Sequence, residues 1–420
     1  MKICIIGLGY IGLPTAAMFA THGHSVVGVD VNKKVIEALN QGEIIIEEPN
    51  LEETVEKAVK LGTLRASIRP EEADAFIICV PTPIMPDKTA DLTFVESGIR
   101  TILPYLRKDN IVILESTSPP GTTRDFMGPI LKEAGFVPGE DILVAYCPER
   151  VLPGRILIEL KENNRVVGGI DEKSGQVVKD LYKSFVQGEI YTSDATTAEM
   201  CKLMENTYRD VNIALANELA MICEKMRVNA WEVIEFANKH PRVNLHMPGP
   251  GVGGHCIAVD PWFIVEKQPE IAKMIHLARK TNDSMPHYVF RKIEELTKDV
   301  QGSKKICVLG VTYKPNVDDM RESPIIELVH LLKGQGQYET VVVDPHVDLD
   351  GSKERDIYEA AQGAHLVLLA VNHNEFKELD FVRIKNAMKL PQVLDTRHFW
   401  DAGTVEQAGL SYHLLGWGRV

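Results

Sequence analysis

Short runs of apolar, β-branched residues recur at both ends of this chain, and polar or turn-forming residues follow each run. Between Lys2 and Tyr146 the runs are KICIIG, SVVGVD, AFIICV, IVILES and ILVAY, with helical stretches between them. They are apolar along their whole length, which is typical of strands covered by helices on both faces. The pattern predicts an α/β fold with a doubly wound parallel sheet.

The middle of the chain lacks this strand rhythm. A Thr196 to Glu199 capping box introduces a stretch without Gly or Pro that runs to Met226, which predicts one long helix. Apolar residues at helical spacing form a stripe that is most simply explained as core packing. The stripe contains Met200, Leu203, Met204, Tyr208 and Val211.

From Lys304 the strand rhythm returns, as KKICVLGV, ETVVVDP, HLVLLAV and QVLDTR. A chain of 420 residues is too long for one ordinary core, so we expect several domains. The sequence predicts two Rossmann-like parallel-sheet domains joined by a central helical domain, over residues 1–195, 196–300 and 301–420.

Charge and cysteine content exclude several classes of protein. The net charge is −13 and the basic residues are scattered, so nothing indicates a nucleic-acid surface. No apolar run reaches the ~18 residues that span a bilayer, and the first strand begins at Lys2, which leaves no room for a signal peptide. Seven cysteines without short paired spacing suit a reducing compartment and predict neither a disulfide framework nor a metal site. We therefore expect a cytoplasmic protein with no membrane or nucleic-acid partner.

A glycine-rich turn follows the first strand, with Gly7, Gly9 and Gly12 in a G-x-G-x-x-G spacing. The first glycine allows a tight turn, the second lets a pyrophosphate approach the backbone, and the third lets the helix pack on the strand. Phosphate charge then meets the N-terminus of the helix. The turn, including Tyr10 and Ile11, predicts a dinucleotide site, and the alternative is a glycine-rich turn that binds nothing.

Asp30 ends the second strand run and indicates which dinucleotide binds. Its carboxylate can accept hydrogen bonds from a ribose diol and would repel a 2′-phosphate, so NAD is favoured over NADP. Lys33 and Lys34 are near in sequence and weaken this preference without reversing it.

Cys256 lies in PGPGVGGHCIAVDP, where glycines and prolines predict an irregular loop and an accessible thiol. A free thiol has a pKa of about 8.5 and attacks a carbonyl only as the thiolate, so a nucleophile here needs nearby cations or backbone donors. Asp260, further along the same segment, could organise a water or a base. A catalytic cysteine and a structural loop cysteine both stay open, and we assign the neighbouring His255 a structural role.

The other cysteines fall in regular elements, where we expect inert, buried thiols. Cys147 ends a strand and stays ambiguous. The remainder lie in strand runs or on helices: Cys4, Cys79, Cys307, Cys201 and Cys223.

Lys202 and Asn206 lie one turn apart on a shared face of the long helix, with Asp210 a turn further on. A cation and an amide aimed together could stabilise an alkoxide or the oxyanion of a tetrahedral intermediate. The alternative is a solvated polar face. Glu149 is a further candidate because it follows a predicted strand, and strand C-termini line the ligand crevices of open parallel sheets.

These segments, in this order, resemble the UDP-glucose/GDP-mannose dehydrogenase family over nearly the whole chain. The matching segments are GLGYIGLP, CVPTP, ESTSPPGTT, YCPER, AEMCKLMENTYRDVN, GGHCIAVDP and YKPNVDDMRES. The resemblance implies an NAD domain, a helical dimerisation domain and a UDP-binding domain, in a homodimer or a higher homo-oligomer. EMCKL, HPRVN and PGPGVGGHCIAVDPWFI look most like the branch that oxidises UDP-N-acetyl-D-mannosamine. Val259 stands where UDP-glucose enzymes typically carry a lysine, which argues against glucose.

The resemblance also implies roles for the matched residues. Cys256 would be the nucleophile, Lys202 and Asn206 would be the oxyanion donors, Asp260 would position a water, and Glu149 would assist thioester hydrolysis. Beyond the glycine turn, the NAD cofactor would contact Thr82, Thr117 and Arg321. The UDP-sugar would contact Glu149, Arg150, Val151, Lys202, Asn206, Gly253, Lys314 and Arg242, the last from the same chain or from a neighbouring subunit.

The implied activity is NAD-dependent oxidation of the C6 alcohol to a carboxylate through a Cys256 thiohemiacetal and thioester, in nucleotide-sugar metabolism and polysaccharide biosynthesis. An aldehyde has no second hydride to give unless a nucleophile adds first. Alternative substrates are UDP-N-acetylglucosamine and UDP-glucose. A single-step hydroxyacid dehydrogenase would need neither the loop cysteine nor a third domain. A non-catalytic nucleotide-sugar sensor would not need the complete set of Lys202, Asn206 and Cys256.

Overall fold

The computed structural model describes residues 1–418. They form two compact units. The first contains residues 1–205 and 262–269, and the second contains residues 206–261 and those described from 270 onward. No helix among the described residues has the length and apolar character needed to cross a membrane.

The first unit is built on an eight-stranded sheet in the order β3-β2-β1-β4-β5-β6-β7-β8. Its strands are β1 Lys2–Ile6, β2 Ser25–Val29, β3 Leu64–Ser67, β4 Ala75–Ile78, β5 Ile111–Leu114, β6 Leu143–Tyr146, β7 Arg165–Gly169 and β8 Ile190–Asp194. Its helices are α1 Gly12–Thr21, α2 Lys33–Gln41, α3 Leu51–Lys60, α4 Thr93–Ile102, α5 Gly128–Glu133, α6 Ile156–Glu162 and α7 Glu172–Tyr182. Three short helical turns are Leu103–Tyr105, Thr122–Met127 and, in the second unit, Asn374–Phe376.

Apolar side chains cover both faces of this sheet, as the continuous apolar runs predict. In β1, Ile3 and Ile5 belong to one buried cluster, whereas Cys4 and Ile6 belong to the cluster on the opposite face. The alternation follows from the two-residue period of a strand. The strand order reverses between β1 and β4, which places a ligand crevice at the carboxyl ends of these strands.

The second unit combines helices with a five-stranded parallel sheet in the order β10-β9-β11-β12-β13. Helix α8 (Ala195–Met226) begins in the first unit and continues into the second, which also contains α9 Ala230–Ala237 and α11 Lys273–Leu296. Helix α10 (Asp260–Lys267) begins in the second unit, but its residues from Trp262 onward belong to the first. The sheet and its helices are β9 Lys304–Leu309, α12 Pro324–Gly334, β10 Tyr338–Val343, α13 Ile357–Ala360, β11 Leu366–Leu369, α14 Phe381–Ala387, β12 Gln392–Asp395, α15 Ala402–Gln407 and β13 Ser411–Leu414. Two Rossmann-like sheets with a helical segment between them in sequence confirm the predicted fold class.

One pair of strands departs from the expected parallel arrangement. Strand β7 pairs with β6 in the antiparallel direction, with Ala145 opposite Gly169. Strands β3, β7, β8 and β13 were not among the predicted runs. Edge strands β3 and β8 expose part of their side chains, so they lack the continuous apolar pattern that marks the central strands.

The predicted long helix is present as α8, but the predicted capping box is wrong. The helix begins at Ala195, and the residue before it, Asp194, accepts a hydrogen bond from the backbone N–H of Thr197 at 3.1 Å. Glu199 instead accepts hydrogen bonds from the backbone N–H groups of Gly121 and Thr123, at 2.6 and 2.7 Å. An acidic residue one position upstream of the helix competes successfully for the cap.

The predicted apolar stripe of α8 is only partly core. Leu203 is buried, but Met204 and Tyr208 are exposed over 43% and 53% of their surfaces. The core-packing explanation is therefore wrong for these two side chains.

Candidate active site

The glycine turn after β1 has a shape that side chains would prevent. Gly7 has φ +93°, and a Cβ there would lie 2.3 Å from the carbonyl oxygen of Cys79. A Cβ on Gly12 would lie 1.9 Å from the carbonyl oxygen of Gly7. At Gly9 a Cβ would meet nothing within 4 Å, and Gly9 and Tyr10 are exposed. The protein itself therefore requires Gly7 and Gly12, whereas Gly9 leaves open space beside the N-terminus of α1, which suits a bound dinucleotide phosphate.

Asp30 lies at the carboxyl end of β2 and is tied to the glycine turn. Its Oδ2 accepts a hydrogen bond from the backbone N–H of Leu8 at 2.9 Å, and its Oδ1 accepts one from Asn32 at 2.8 Å. Each carboxylate oxygen has more than one lone pair, so acceptor capacity remains for a ribose diol. Asn32 in turn caps α2 by accepting from the N–H of Lys34.

The loops after β4 and β5 are joined at two predicted cofactor residues. The hydroxyl of Thr82 donates to the carbonyl oxygen of Thr117 at 2.6 Å. Both residues are half-buried at the carboxyl edge of the first sheet, the edge that also carries the glycine turn.

Glu149 follows β6 and is buried against a residue that sequence reasoning missed. Its Oε2 lies 2.6 Å from Nη2 of Arg165, and its Oε1 accepts a hydrogen bond from the backbone N–H of Arg150 at 2.6 Å. The Arg165 guanidinium also stacks over the ring of Tyr182, at 4.8 Å from the ring centroid. RVVGG carries no motif that would have singled out this arginine.

A second buried carboxylate, Glu115, lies at the end of β5. It accepts hydrogen bonds from the Tyr182 hydroxyl, from the Cys79 thiol at 3.0 Å and from Thr15 at 3.4 Å. Burial raises the pKa of Glu115, and the positive charge of Arg165 acts in the opposite direction.

The ambiguous Cys147 is buried beside this cluster. Burial raises the pKa of its thiol to about 12, despite the nearby Arg165. Burial likewise raises the pKa of Cys79 well above its usual value. A thiol of high pKa and no exposure is a poor nucleophile, so Cys147 is excluded as a catalytic cysteine on physical grounds.

The sequence predicts that Arg150, Val151 and Lys202 contact the sugar, and the structure shows the protein groups around each of them. The guanidinium of Arg150 is already paired with Glu205 at 2.5 Å, and its Nη1 donates to the carbonyl oxygen of Asn164. Val151 packs partly against the first core cluster. Lys202 is half-buried on α8.

In the second unit, the structure brings three predicted catalytic residues together. The Asn206 amide donates to Oδ2 of Asp260 at 2.6 Å, and both side chains are buried. The backbone N–H of Asp260 donates to the carbonyl oxygen of Cys256 at 2.8 Å, so the cysteine lies one turn before α10. Cys256 is exposed, as its loop composition predicts. All seven cysteines lie in the described part of the chain, and none forms a disulfide.

The loop before Cys256 packs tightly on the segment that follows β9. A Cβ on Gly253 would lie 2.3 Å from the carbonyl oxygen of Glu322, and one on Gly254 would lie 2.8 Å from the ring of Tyr313. Gly254 also has φ +84°, and its N–H donates to the carbonyl oxygen of Arg321. These glycines are needed for close packing that orients the cysteine loop.

The segment after β9 carries the predicted Lys314 and Arg321. The carbonyl oxygen of Lys314 accepts a hydrogen bond from Thr312 at 2.8 Å. Arg321 is exposed and donates from Nε and Nη2 to Asp319, and these bonds lower the pKa of Asp319 although burial acts to raise it. Arg242 is exposed in the loop after α9. Burial and the charge of Arg321 lower the pKa of His255.

Asp210 does not extend the polar face of Lys202 and Asn206. It is fully buried and forms an ion pair with Arg279 of α11, which joins the two helices. This is a structural contact rather than part of a solvated face.

One cluster has the composition of a metal site. Ligand atoms of His346, His373 and Glu375 lie within 4.8 Å of one another. Both ring nitrogens of His373 are already engaged, because Nδ1 accepts from the N–H of Asn316 and Nε2 lies 3.1 Å from Oδ2 of Asp344. The cluster is therefore better explained as a fixed turn at the carboxyl edge of the second sheet.

Two doubly wound sheets, the first with a G-x-G-x-x-G turn between β1 and α1, are typical of Rossmann-type nucleotide-binding proteins. Comparison with known proteins specifies the family. Residues 1–186 match the NAD binding domain of the UDP-glucose/GDP-mannose dehydrogenase family, residues 196–284 its central domain, and residues 307–402 its UDP binding domain. The chain belongs to this family and is an NAD-dependent oxidoreductase.

Several named proteins are similar over their whole length. The UDP-N-acetyl-D-mannosamine dehydrogenase of Methanocaldococcus jannaschii is 48% identical over 424 residues, which cover 100% of this chain and 97% of that protein. The NDP-N-acetyl-D-galactosaminuronic acid dehydrogenase of Ralstonia nicotianae is 47% identical, with 95% of this chain and 96% of that protein covered. A solved UDP-N-acetyl-mannosamine dehydrogenase from Staphylococcus aureus is 48% identical, covers 99% of both chains and has a TM-score of 0.89.

Proposed function

We propose that this chain oxidises UDP-N-acetyl-D-mannosamine at C6 to UDP-N-acetyl-D-mannosaminuronate in two NAD-dependent steps. The observation that carries this proposal is the arrangement of an exposed Cys256 next to the buried pair of Asn206 and Asp260. A dehydrogenase that transfers only one hydride from an alcohol does not need an accessible nucleophilic thiol. The names of the similar proteins support the mannosamine substrate.

When bound, NAD accepts one hydride in each of the two oxidations. In the first step a base takes the proton of the C6 hydroxyl as C6 becomes an aldehyde carbon. Lys202 stabilises the developing alkoxide by its charge. Asp260, held in one orientation by Asn206, positions the water that carries the proton away.

The second step requires covalent chemistry on Cys256. Its thiolate adds to the aldehyde carbon and forms a thiohemiacetal in its alkoxide form, and transfer of the hydride from that carbon to the cofactor leaves a thioester. Water attacks the thioester carbonyl, Glu149 takes the water proton, and the carbon–sulfur bond breaks to release the acid and the thiolate. The Asn206 amide has a second N–H that can donate to the oxyanion of the tetrahedral intermediate.

The remaining predicted residues would bind rather than react. We assign the pyrophosphate and ribose of NAD to the turn from Gly7 to Gly12 and to Asp30, with Thr82, Thr117 and Arg321 as further cofactor contacts. We assign the UDP-sugar to Lys314, Arg150, Val151, Gly253 and Arg242, the last from the same chain or from a neighbouring subunit. We also propose three domains, over residues 1–195, 196–300 and 301–420. We propose a cytoplasmic location, where seven free thiols would stay reduced.

We further propose a homodimer built on α8. Tyr208, Leu215 and Ile222 recur every seven residues, so they lie along one side of the helix, and Met226 extends the row by one turn. Their exposed fractions are 53%, 52%, 45% and 67% in that order. An apolar row of this length on one helix is typical of a surface that packs against a second copy.

The direct test is an NADH assay with UDP-N-acetylmannosamine, UDP-N-acetylglucosamine, UDP-N-acetylgalactosamine, UDP-glucose and UDP-galactose. We expect the highest kcat/KM with UDP-N-acetylmannosamine and two NADH per sugar. Preference for the galacto sugar would favour the second named group of relatives. One NADH per sugar would indicate a single-step dehydrogenase, and thermal stabilisation without NADH would indicate a sensor.

A further inference from the structure

Arg165 is a buried arginine that no predicted role accounts for. It opens β7 and is 3% exposed. Its Nη2 lies 2.6 Å from Oε2 of Glu149, and its Nη1 lies 3.7 Å from Sγ of Cys147. The rings of Tyr182 and Phe185 flank the guanidinium, at 4.8 and 5.7 Å. A buried charge is tolerated only where it is paired, so this arginine depends on a carboxylate.

Two carboxylates, Glu149 and Glu115, interact electrostatically with the Arg165 guanidinium. Glu149 contacts Arg165 directly, whereas the hydrogen-bond donors on Glu115 are the neutral groups of Tyr182, Cys79 and Thr15. Two ionised carboxylates close together in a buried site are unfavourable, so one of them tends to hold a proton. Burial raises the pKa of Glu115. Neutral donors therefore satisfy Glu115, whereas the Arg165 cation contacts Glu149.

The geometry at Glu149 fixes both of its oxygens. Oε2 is held by Arg165, and Oε1 is held by the N–H of Arg150 at 2.6 Å. Each oxygen keeps a lone pair that can accept a proton. These two contacts hold the Glu149 carboxylate in one orientation.

We propose that Arg165 is a positioning residue for Glu149, and that it pairs with this carboxylate and orients it to take a proton from the water that hydrolyses the thioester. The proposal rests on the two-step function proposed above. Arg165 itself touches no reacting atom and acts only through Glu149.

The proposal predicts the direction in which the pH dependence of thioester hydrolysis changes when Arg165 is removed. A nearby guanidinium favours the ionised form of a carboxylate, and Arg165 is the cation that contacts Glu149, so the variant loses this charge. A general base works only when ionised, so the acidic limb of the hydrolysis rate should move to higher pH. The charged and titratable groups that face Glu149 are Arg165 on β7, Cys147 and Arg150 after β6, Glu115 after β5 and Cys79 after β4.

The test is rapid quenching of Arg165→Gln during a single turnover at a series of pH values, with the sugar adduct on the Cys256 peptide measured by mass spectrometry. We expect the adduct to form and then to disappear about 100-fold more slowly than in the wild type. We expect the acidic limb of its disappearance to lie about 1 pH unit higher or more. Adduct hydrolysis at the wild-type rate and with the wild-type pH profile would overturn the proposal.

Two further variants separate positioning from general damage. Arg279→Gln removes another buried arginine, which pairs with Asp210 and Asp283, and should leave the pH profile unchanged even if it lowers stability. Arg165→Lys keeps the charge but loses the forked geometry, so the acidic limb should stay near its wild-type position while hydrolysis slows. If Arg165→Gln does not fold, Arg165→Lys carries the test, and an unchanged rate in that variant would overturn the proposal. Failure of the wild type to form any adduct would instead contradict the proposed function.

Discussion

At the residue scale, Asp30 illustrates how one side chain can serve both the protein and the cofactor. It accepts hydrogen bonds from the backbone of the glycine turn and of Asn32, and it lies where a ribose diol is expected. Its position was predictable from sequence because it depends on local spacing. Its bond to Leu8 was not predictable, since that contact joins the turns that follow two separate strands.

We predict that the enzyme prefers NAD to NADP because the Asp30 carboxylate would face a phosphate dianion. The discrimination should be about 1–3 kcal/mol, the cost of a polar group left unpaired or repelled. Asp30→Ala should narrow the preference and also weaken both cofactors, because the turn loses an anchor. Steady-state kcat/KM values for the two cofactors measure both effects. Equal efficiency in the wild type would refute the role of Asp30.

We predict that Gly254→Ala disturbs the cysteine loop. A Cβ there would lie 2.8 Å from the Tyr313 ring at φ +84°, so both strain and a clash are introduced. The unfolding free energy should fall by about 1–3 kcal/mol, and acid formation should fall as well. Gly336→Ala is the matched control, since Gly336 has φ +65° but open space around its Cβ position. Urea unfolding that shows equal losses for the two variants would mean that the clash contributes nothing.

At the element scale, the predicted runs include every central strand except β7 but only one of the four edge strands, β10. A central strand such as β4 is buried on both faces and carries a continuous apolar run. The edge strand β8 exposes Tyr191 and Thr192, so its sequence gives no such signal. Arg165 and Glu115 could not be assigned for a different reason: their contacts join separate strands and α7, and no local pattern encodes such a cluster.

Two residues at the start of α8, Asp194 and Thr196, are alternative N-caps, and substitutions can tell which one stabilises the helix. Asp194→Ala should destabilise the fold by about 0.5–2 kcal/mol because it removes the observed cap. Thr196→Ala, at the position of the predicted capping box, should have a much smaller effect. Urea midpoints for the pair distinguish the two, and a larger loss for Thr196→Ala would restore the capping box.

At the scale of the whole molecule, the apolar row on α8 predicts self-association. Leu215→Glu places a charge in the middle of this row and should convert a dimer to a monomer at micromolar concentration. Val382→Glu is the matched control, because Val382 is similarly exposed, at 54%, on α14. Light scattering measures the masses directly. A fully active wild-type monomer would rule out the dimer and any contribution of Arg242 from a neighbouring subunit.

The central claim is that a thiolate on Cys256 carries the sugar between the two oxidations. Cys256→Ser keeps the size of the side chain but replaces the thiol with a far less acidic hydroxyl, so covalent capture should nearly stop while folding survives. Cys147→Ser should do much less, because Cys147 is buried and its thiol has a pKa raised to about 12.

The most direct measurement is the ratio of NADH to sugar in the wild type, together with a search for a sugar adduct on the Cys256 peptide in samples quenched during turnover. We predict two NADH per sugar, an adduct on Cys256, and acid formation in Cys256→Ser that is lower by several orders of magnitude. Release of the uronic acid by Cys256→Ser at close to the wild-type rate would contradict the thioester mechanism and leave a hydrated aldehyde as the donor of the second hydride.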